Sequence, residues 1–251
     1  YDRTGAGVHA DLQQRFGKTS FFSYGVGLEG GVYRERVFDP VTLTPGSLDR
    51  NLVILTGRGG ASLDRSDDPL NPRRGWRLSV DAQPTVVSGD TSLAFLRLQS
   101  QVSAYLPVED QGRTVIAGRL RLGAIGGGSF EGVPSDRRFF SGGGGSVRGY
   151  SYQGVGPRLP DNTPRGGLSL VETSLEVRRD LFGNFGAVVF VDGGAVGDNT
   201  APDFSSVQWS VGAGVRYNLP FGPIRADIAI PLNKRDGDPG FQIYVSIGQA
   251  F

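Results

Sequence analysis

An arginine and an aspartate are the residues of this chain best suited to specific chemistry. Arg148 lies in the glycine-rich stretch FFSGGGGSVRGYSYQGVGP (139–157), and Asp192 lies in VVFVDGGAVG (188–197). A guanidinium and a carboxylate can pair through two parallel hydrogen bonds, which are strongest where water is scarce. Such a pair would attach one segment of the chain to another without covalent catalysis. The alternative is that Arg148 is exposed in a loop and that Asp192 pairs with a neighbour such as Arg178.

The other charged groups favour structural pairing over catalysis. Glu172 and Glu176 share one face of an alternating segment and could act as an acid–base pair. Arg119 and Arg121 share one face of another such segment. Opposite charges on neighbouring strands stabilise a sheet, so we interpret these four residues as cross-strand ion pairs.

Metal binding and nucleophilic catalysis have little support in the sequence. Asp64, Asp67 and Asp68 could bind a hard cation, but the nearby prolines favour a polar turn. His9 is the single histidine and cysteine is absent, which excludes disulfides and cysteine nucleophiles and argues against a zinc site. No Ser-His-Asp arrangement surrounds His9. We therefore expect no enzyme activity, no metal and no cofactor.

The overall composition limits the partners. The 26 basic residues are balanced by 25 acidic ones, which argues against nucleic acid as a partner. No run of residues approaches the roughly 20 apolar residues of a membrane-spanning helix.

Alternating apolar and polar residues indicate which elements position Arg148 and Asp192. In VQWSVGAGVRYNL (207–219) every second residue is apolar, and the residues between them are polar or glycine. Successive side chains of a strand point to opposite faces, so such a strand has one apolar and one polar face. The pattern predicts about eleven strands, at residues 4–16, 20–37, 50–64, 75–86, 93–107, 113–125, 168–180, 185–197, 206–219, 223–232 and 240–251.

Two all-β architectures share this pattern. A soluble sandwich or barrel turns its apolar face inward and its polar face to bulk water. Here the polar face consists of Gly, Ser, Gln, Asn and arginines with acidic partners, and lysine is nearly absent. These residues suit a crowded, hydrated lumen with lipid outside. We therefore predict an antiparallel transmembrane β-barrel over residues 1–251.

The predicted connections alternate in length. Short ones fall at 17–19, 108–112, 181–184 and 220–222, and longer ones at 39–49, 87–92, 198–205 and 233–239, with the longest at 126–167. Outer-membrane barrels have short periplasmic turns and long external loops, which makes loop 126–167 external. An odd number of strands starting at the outer surface is unusual, so we expect the chain to be a fragment that lacks strands before Tyr1.

Four stretches resemble the BamA/TamA superfamily of outer-membrane assembly factors. RRFFSGGGGSVRGYSYQGVGP (137–157) resembles the family's sixth external loop, with its aromatic pair, two glycines and Val-Arg-Gly-Tyr. VVFVDGGAVG resembles its Phe-x-Asp-x-Gly signature. LDRSDDPLNPRRGW (63–76) resembles a periplasmic turn of the family, and GPIRADIAIPLNKRDGDPGFQIYVSIGQAF (222–251) resembles its ending. The sequences of the loop motif and of the ending are most similar to those of TamA. Without the resemblance, GGGGS would suggest an engineered linker.

The resemblance implies a sixteen-stranded barrel, of which about five N-terminal strands and the periplasmic POTRA domains are absent here. It also implies that loop 126–167 folds into the lumen and that the last strand forms one side of a lateral gate. The residues implied for the loop-to-lumen latch are Val147, Arg148, Gly149, Tyr150, Phe190, Asp192 and Gly194. Those implied for the gate strand are Gly248 and Phe251, although an ordinary closing strand would look the same.

The function implied is an assembly or translocation factor in the outer membrane of a Gram-negative bacterium. It would insert or secrete client barrel proteins such as autotransporters through the gate. Its expected partners are the lipid bilayer, client outer-membrane proteins and a periplasmic or inner-membrane protein similar to TamB. A two-partner secretion transporter, in which the motif pair also occurs, and the barrel anchor of a secreted enzyme remain alternatives. The missing N-terminal part of the protein would distinguish them.

Overall fold

The computed structural model describes residues 1–17, 19–39, 44–220 and 222–251. Eleven antiparallel strands pair in chain order as one meandering sheet. They are β1 (Asp2–Arg15), β2 (Phe21–Asp39), β3 (Thr44–Asp64), β4 (Gly75–Gly89), β5 (Leu93–Pro107), β6 (Thr114–Gly126), β7 (Ser169–Asp180), β8 (Phe185–Gly197), β9 (Gln208–Tyr217), β10 (Ile224–Pro231) and β11 (Gln242–Ile247). The predicted all-β barrel-type fold is confirmed. In the described part of the chain, β1 and β11 each pair on one side only.

Short 3-10 turns, at Ser135–Arg137 and Phe204–Ser206, lie in the connections. No helix in the described ranges is long and apolar enough to cross a membrane.

Burial in the sheet is the reverse of burial in a soluble protein. On β9, Val215 is 59% exposed, whereas Ser210 is fully buried and Arg216 is only 3% exposed. The same inversion holds on β11, where Val245 is 73% exposed. An apolar exterior around a polar interior suits a sheet whose outer face contacts hydrocarbon.

Some element boundaries differ from the prediction. β2 and β3 pair as far as Asp39 and Thr44, so most of the predicted link 39–49 is strand, and 40–43 lie outside the described residues. β4 continues to Gly89, which shortens the predicted link 87–92. The predicted turns 17–19 and 220–222 include Lys18 and Phe221, which also lie outside the described residues.

β11 is the largest difference, because alternation continues to Phe251 but the strand ends at Ile247. Gly248 has a φ of +91°, a backbone conformation that glycine adopts readily and that interrupts an extended strand. The prediction of strand over 240–251 was therefore wrong at both ends.

The sequence predicted a hydrated interior throughout, but part of the interior is apolar and excludes water. We call the sheet of strands β1 to β11 the wall. Between the wall and the long loop lies an apolar group, the dry cluster, which consists of Tyr33, Leu52, Ile54, Val87, Phe95, Ile125, Phe130, Val133, Phe139, Leu168, Leu170 and Val196. Inward-facing residues of several strands contribute to it together with three residues of the loop. The loop is therefore packed into the sheet by apolar contacts as well as by charge.

Candidate functional site

The connection between β6 and β7 folds back into the concave side of the sheet. Three isolated bridges organise it, the first between Phe139 and Gly167, the second between Ser141 and Val155, and the third between Arg158 and Pro164. The second bridge closes residues 142–154 into a compact sub-loop, which we call the tip. Val147, Arg148 and Tyr150 in the tip are all at most 2% exposed, so the tip is enclosed by the wall.

Arg148 makes the central contact between tip and wall. Its Nε donates to Asp192 Oδ2 at 2.7 Å, and its Nη2 donates to Oδ1 at 2.9 Å. The backbone N–H of Arg148 also donates to Asp192 Oδ2 at 3.1 Å. Ser174, opposite Asp192 in the β7–β8 register, donates its hydroxyl to Oδ1 at 2.5 Å. The pair is bidentate, as a planar guanidinium and a carboxylate allow.

Two further carboxylates complete the charge around Arg148. Its Nη1 donates to Asp227 Oδ2 at 3.2 Å, and its Nη2 lies 2.7 Å from Glu176 Oε1. The Glu176 contact is an ion pair without hydrogen-bond alignment, because Oε1 has no hydrogen-bond partner. Neighbouring arginines of the wall balance the negative charge of these two acids. Arg178 Nε lies 2.8 Å from Glu176 Oε2, and Arg216 Nη1 lies 2.5 Å from Asp227 Oδ1.

The Arg148 guanidinium is held charged despite its burial. Burial alone lowers the pKa of an arginine, but the hydrogen bonds to Asp192 and the charges of Glu176, Asp192 and Asp227 outweigh this and raise the pKa of Arg148.

Small residues in the wall make room for the tip. The Arg148 guanidinium stacks 3.4 Å from the centre of the Phe190 ring. A Cβ at Gly212 would lie 2.3 Å from that ring, so only glycine fits beneath it. A Cβ at Gly194 would lie 2.6 Å from Val147 Cγ2. Phe190 and Gly194 thus shape the recess in which Asp192 receives Arg148.

The two residues after Arg148 attach the tip to the last strands. Gly149 has a φ of +94°, and its N–H donates to the Tyr244 hydroxyl on β11 at 3.0 Å. That hydroxyl donates to the Tyr150 carbonyl at 3.1 Å, and the Tyr150 hydroxyl donates to the Trp209 carbonyl on β9 at 3.0 Å. The tip is therefore bonded directly to β11, which is one of the two edge strands of the described sheet.

Wall arginines also hold the glycine run of the tip. Arg119 on β6 donates to the carbonyls of Gly145 at 3.1 Å and Ser146 at 2.8 Å. Arg225 on β10 donates to the Gly144 carbonyl at 3.3 Å. A GGGGS segment bound in this way is an ordered part of the site and not a flexible linker.

Gly248 and Phe251 are placed differently from the other predicted site residues. The chain turns inward after Ile247, and the Phe251 ring stacks on Tyr105 of β5 with centroids 6.4 Å apart. The guanidinium of Arg178 lies 5.1 Å from the Phe251 ring centre, and Arg178 Nη2 donates to the Phe251 carbonyl at 3.3 Å. Phe251 therefore lies in the interior and is not on the outer apolar face.

Comparison with known proteins identifies the family. The family model described as the Omp85 superfamily domain matches residues 1–251. The chain belongs to the Omp85 superfamily. Together with the lipid-suited exterior, this membership places the sheet in the outer membrane of a Gram-negative bacterium.

Three curated relatives of this Omp85 chain share the name outer membrane protein assembly factor BamA. The protein from Neorickettsia risticii (strain Illinois) is 29% identical over 189 residues, covering 70% of this chain and 24% of the relative. That from Neisseria meningitidis serogroup B is 24% identical over 232 residues, covering 79% and 29%. That from Nitratidesulfovibrio vulgaris (Hildenborough) is 33% identical over 147 residues, covering 55% and 18%. The matched region is thus under a third of each relative's length.

A solved structure has the same fold. The crystal structure of BamA from Haemophilus ducreyi lacking POTRA domains 1–3 superposes with a TM-score of 0.74 at 19% identity. The match covers 96% of this chain and 53% of that one.

The sequence motifs predicted the contact between Arg148 and Asp192, which the structure contains, but they did not indicate most of the residues around it. Of the predicted cross-strand pairs, those of Glu172 are present, with Arg119 at 3.8 Å and Arg121 at 3.4 Å. Glu176 does not pair with either of these arginines and instead pairs with Arg178. Asp227 and Tyr244 were not singled out, although both fall on polar faces.

Asp64 is the last residue of β3, and Asp67 and Asp68 lie in the turn that follows it. Asp67 Oδ1 accepts the backbone N–H of Arg73 at 2.9 Å, and Asp68 Oδ1 accepts that of Leu70 at 2.7 Å. His9 lies on β1 opposite Gly27. In the described ranges no group of three or more His, Cys, Asp or Glu could hold a metal ion.

Proposed function

We propose that this chain is the barrel part of an outer-membrane protein assembly factor that inserts or secretes client β-barrel proteins through a lateral gate. No covalent step is involved. Client strands would pair with an edge of the sheet, and burial of the client's apolar face in lipid would drive completion.

The short edge strand β11 is the observation that carries the proposal. β11 pairs with β10 over six residue pairs, whereas β6 and β7 pair over eleven. Because β11 has few hydrogen bonds to its neighbour, its separation from the sheet should require the least free energy. Gly248 and Phe251 support this role, because the chain turns out of the sheet at Gly248 and Phe251 lies in the interior, which limits the length of β11.

The second part of the proposal concerns the tip. The ion pair between Arg148 and Asp192 would act as a latch that holds the tip against the wall. The tip touches β11 through Tyr244, so a change in the latch alters the support of this edge strand. The relatives named BamA support an assembly role for the whole protein.

Within this function we propose a TamA-type factor with autotransporter clients and a TamB-like partner in the periplasm or inner membrane. The wording of the motif at 139–150 and of the ending at 222–232 supports this narrower assignment.

The test reconstitutes the full-length protein in liposomes and adds denatured autotransporter barrels or unrelated outer-membrane barrels. The readout is the rate at which the client becomes resistant to unfolding in cold SDS. We expect the client to fold faster than in empty liposomes. The Arg148→Ala variant should not accelerate client folding, although its own barrel should remain inserted in the membrane. No acceleration of any client would refute the assembly function, and equal acceleration of both client classes would refute the TamA-type assignment.

Planar-bilayer recordings distinguish assembly from transport. A tip bound in the lumen predicts small, noisy conductance. Translocation of an extended chain without client insertion would favour a two-partner secretion transporter, and a large steady conductance would contradict the plugged lumen.

A further inference from the structure

A second group of buried charges holds the long loop at a different wall. Residues 129–141, which we call the first limb, precede the tip. Residues 131–138 of the first limb contact β2 and β3. Glu35 on β2 is the centre of this group and is 7% exposed. The tip, in contrast, is bound by strands β6 to β11. The loop is therefore attached at two places far apart in the sheet.

Glu35 receives donors from both the wall and the first limb. Arg50 on β3 pairs with Glu35 Oε1, and the backbone N–H of Ser135 donates to the same oxygen at 2.8 Å. Arg138 Nη2 donates to Glu35 Oε2 at 3.5 Å. One carboxylate thus joins two strands of the wall to the start of the loop.

The two arginines extend the contact along the first limb. Arg50 Nη1 donates to the Glu131 carbonyl at 3.1 Å. Arg138 Nε donates to the Val133 carbonyl at 3.0 Å, and its guanidinium lies 4.2 Å from the centre of the Phe130 ring. The side chains of Glu35, Arg50 and Arg138 are at most 9% exposed. Loss of the carboxylate would leave two buried guanidiniums without an anion, which is costly.

Apolar packing places the first limb in the same position. Phe130, Val133 and Phe139 belong to the dry cluster shared with the wall. A Cβ at Gly123 on β6 would lie 2.5 Å from the Phe139 ring, so the wall is shaped to admit that ring closely. No residue of the tip belongs to this cluster.

The junction between first limb and tip is suited to bending. Gly142 and Gly143 have φ values of +110° and +103°, directly after the bridge between Ser141 and Val155. A chain that is fixed up to residue 141 and returns at residue 155 can move its intervening part as a unit.

We propose that Glu35 is a positioning residue that anchors the first limb independently of Arg148, so that residues 142–154 move as a unit while residues 129–141 stay on the β2–β3 wall. This goes beyond the proposed function, and it concerns the loop whether or not the protein assembles clients.

The test is hydrogen–deuterium exchange of the full-length protein in nanodiscs. Glu35→Gln keeps the size of the side chain and removes its charge. We expect exchange in residues 130–139 to accelerate about tenfold or more, with residues 144–150 changed less than about twofold. Arg148→Ala should give the opposite distribution. The matched control is Asp49→Asn in the exposed Arg34–Asp49 pair, with 57% and 44% exposed side chains, which should alter neither segment.

Two outcomes overturn the proposal: acceleration of both segments in either variant, or unchanged exchange at 130–139 in Glu35→Gln. Exchange in β2 and β3 is followed in the same experiment, because a merely structural role would loosen those strands too. If Glu35→Gln does not fold, Arg138→Gln removes only the loop's side of the contact and is judged by the same criteria. Client folding is measured separately, so failure of the assembly function leaves this result interpretable.

Discussion

Replacing Arg148 by alanine is the most informative perturbation of the tip. The change removes the two hydrogen bonds to Asp192, at 2.7 and 2.9 Å, and the contacts to Asp227 and Glu176. Asp192 is fully buried, so its carboxylate would be left in the interior with fewer donors. Breaking a buried ion pair by removing one partner costs about 3–5 kcal/mol.

This cost sets the size of the expected effect. At about 1.4 kcal/mol per factor of ten, the ratio of docked to released tip should fall roughly a hundredfold to a few thousandfold. Amide exchange of residues 142–154 in the full-length protein reports this ratio, because exchange requires release. Arg148→Lys should recover only part of the protection, since lysine cannot form the bidentate pair.

The double variant Arg148→Ala/Asp192→Asn separates the pair from its surroundings. We expect the two single effects to be strongly non-additive, because each removes the same contact. Arg34→Ala, in an exposed ion pair, should change loop exchange little and serves as the control. Unchanged protection in Arg148→Ala, or additive effects in the double variant, would refute the latch.

Three further predictions follow from particular positions. Gly149→Ala should weaken tip docking about tenfold in the same exchange assay, because its φ of +94° costs an L-residue about 1–2 kcal/mol and its Cβ would lie 3.1 Å from Ile230; wild-type exchange would contradict this. Val147→Cys/Gly194→Cys introduces the chain's only cysteines, and an oxidised pair should stop client folding until a reductant is added, whereas full activity when oxidised would show that the tip need not move. The backbone donors of Asn71 and Leu70 lower the pKa of Asp68 from 3.8, so its stabilisation of the turn is fully present above that pH and is lost as the pH falls through the lowered pKa; a carboxyl NMR titration midpoint at or above 3.8 would contradict it.

Much of the sheet was predictable because a strand half in lipid must alternate. The residues on β9 and β5 that alternate in the sequence also alternate in exposure. The course of the chain after β11 was not predictable in this way, since apolar residues still alternate up to Phe251. The positive φ of Gly248 and the ring contact with Tyr105 decide it, and both depend on tertiary structure.

The centre of the site was accessible from its motifs, but its network was not. Which carboxylates converge on Arg148 depends on register, which places Ser174 opposite Asp192 and Asp227 opposite Gly214. Strand patterns fix which face a residue occupies and leave its height along the sheet open. The Glu35 anchor was missed for the same reason, because nothing in the sequence aligns β2 with residues 135–138.

The orientation of the sheet in the membrane is the central claim, and site-directed spin labelling of β5 tests it most directly. Because residues 1–251 contain no cysteine, single cysteines placed one at a time along residues 93–107 are the only labelling sites in this part of the protein, which is studied in liposomes. We predict that labels at Leu96, Leu98 and Val102 collide with oxygen dissolved in the lipid, whereas labels at Arg97, Gln99 and Gln101 collide with a water-soluble nickel chelate. The reverse assignment, or the absence of alternation, would contradict a sheet with lipid outside and a polar interior.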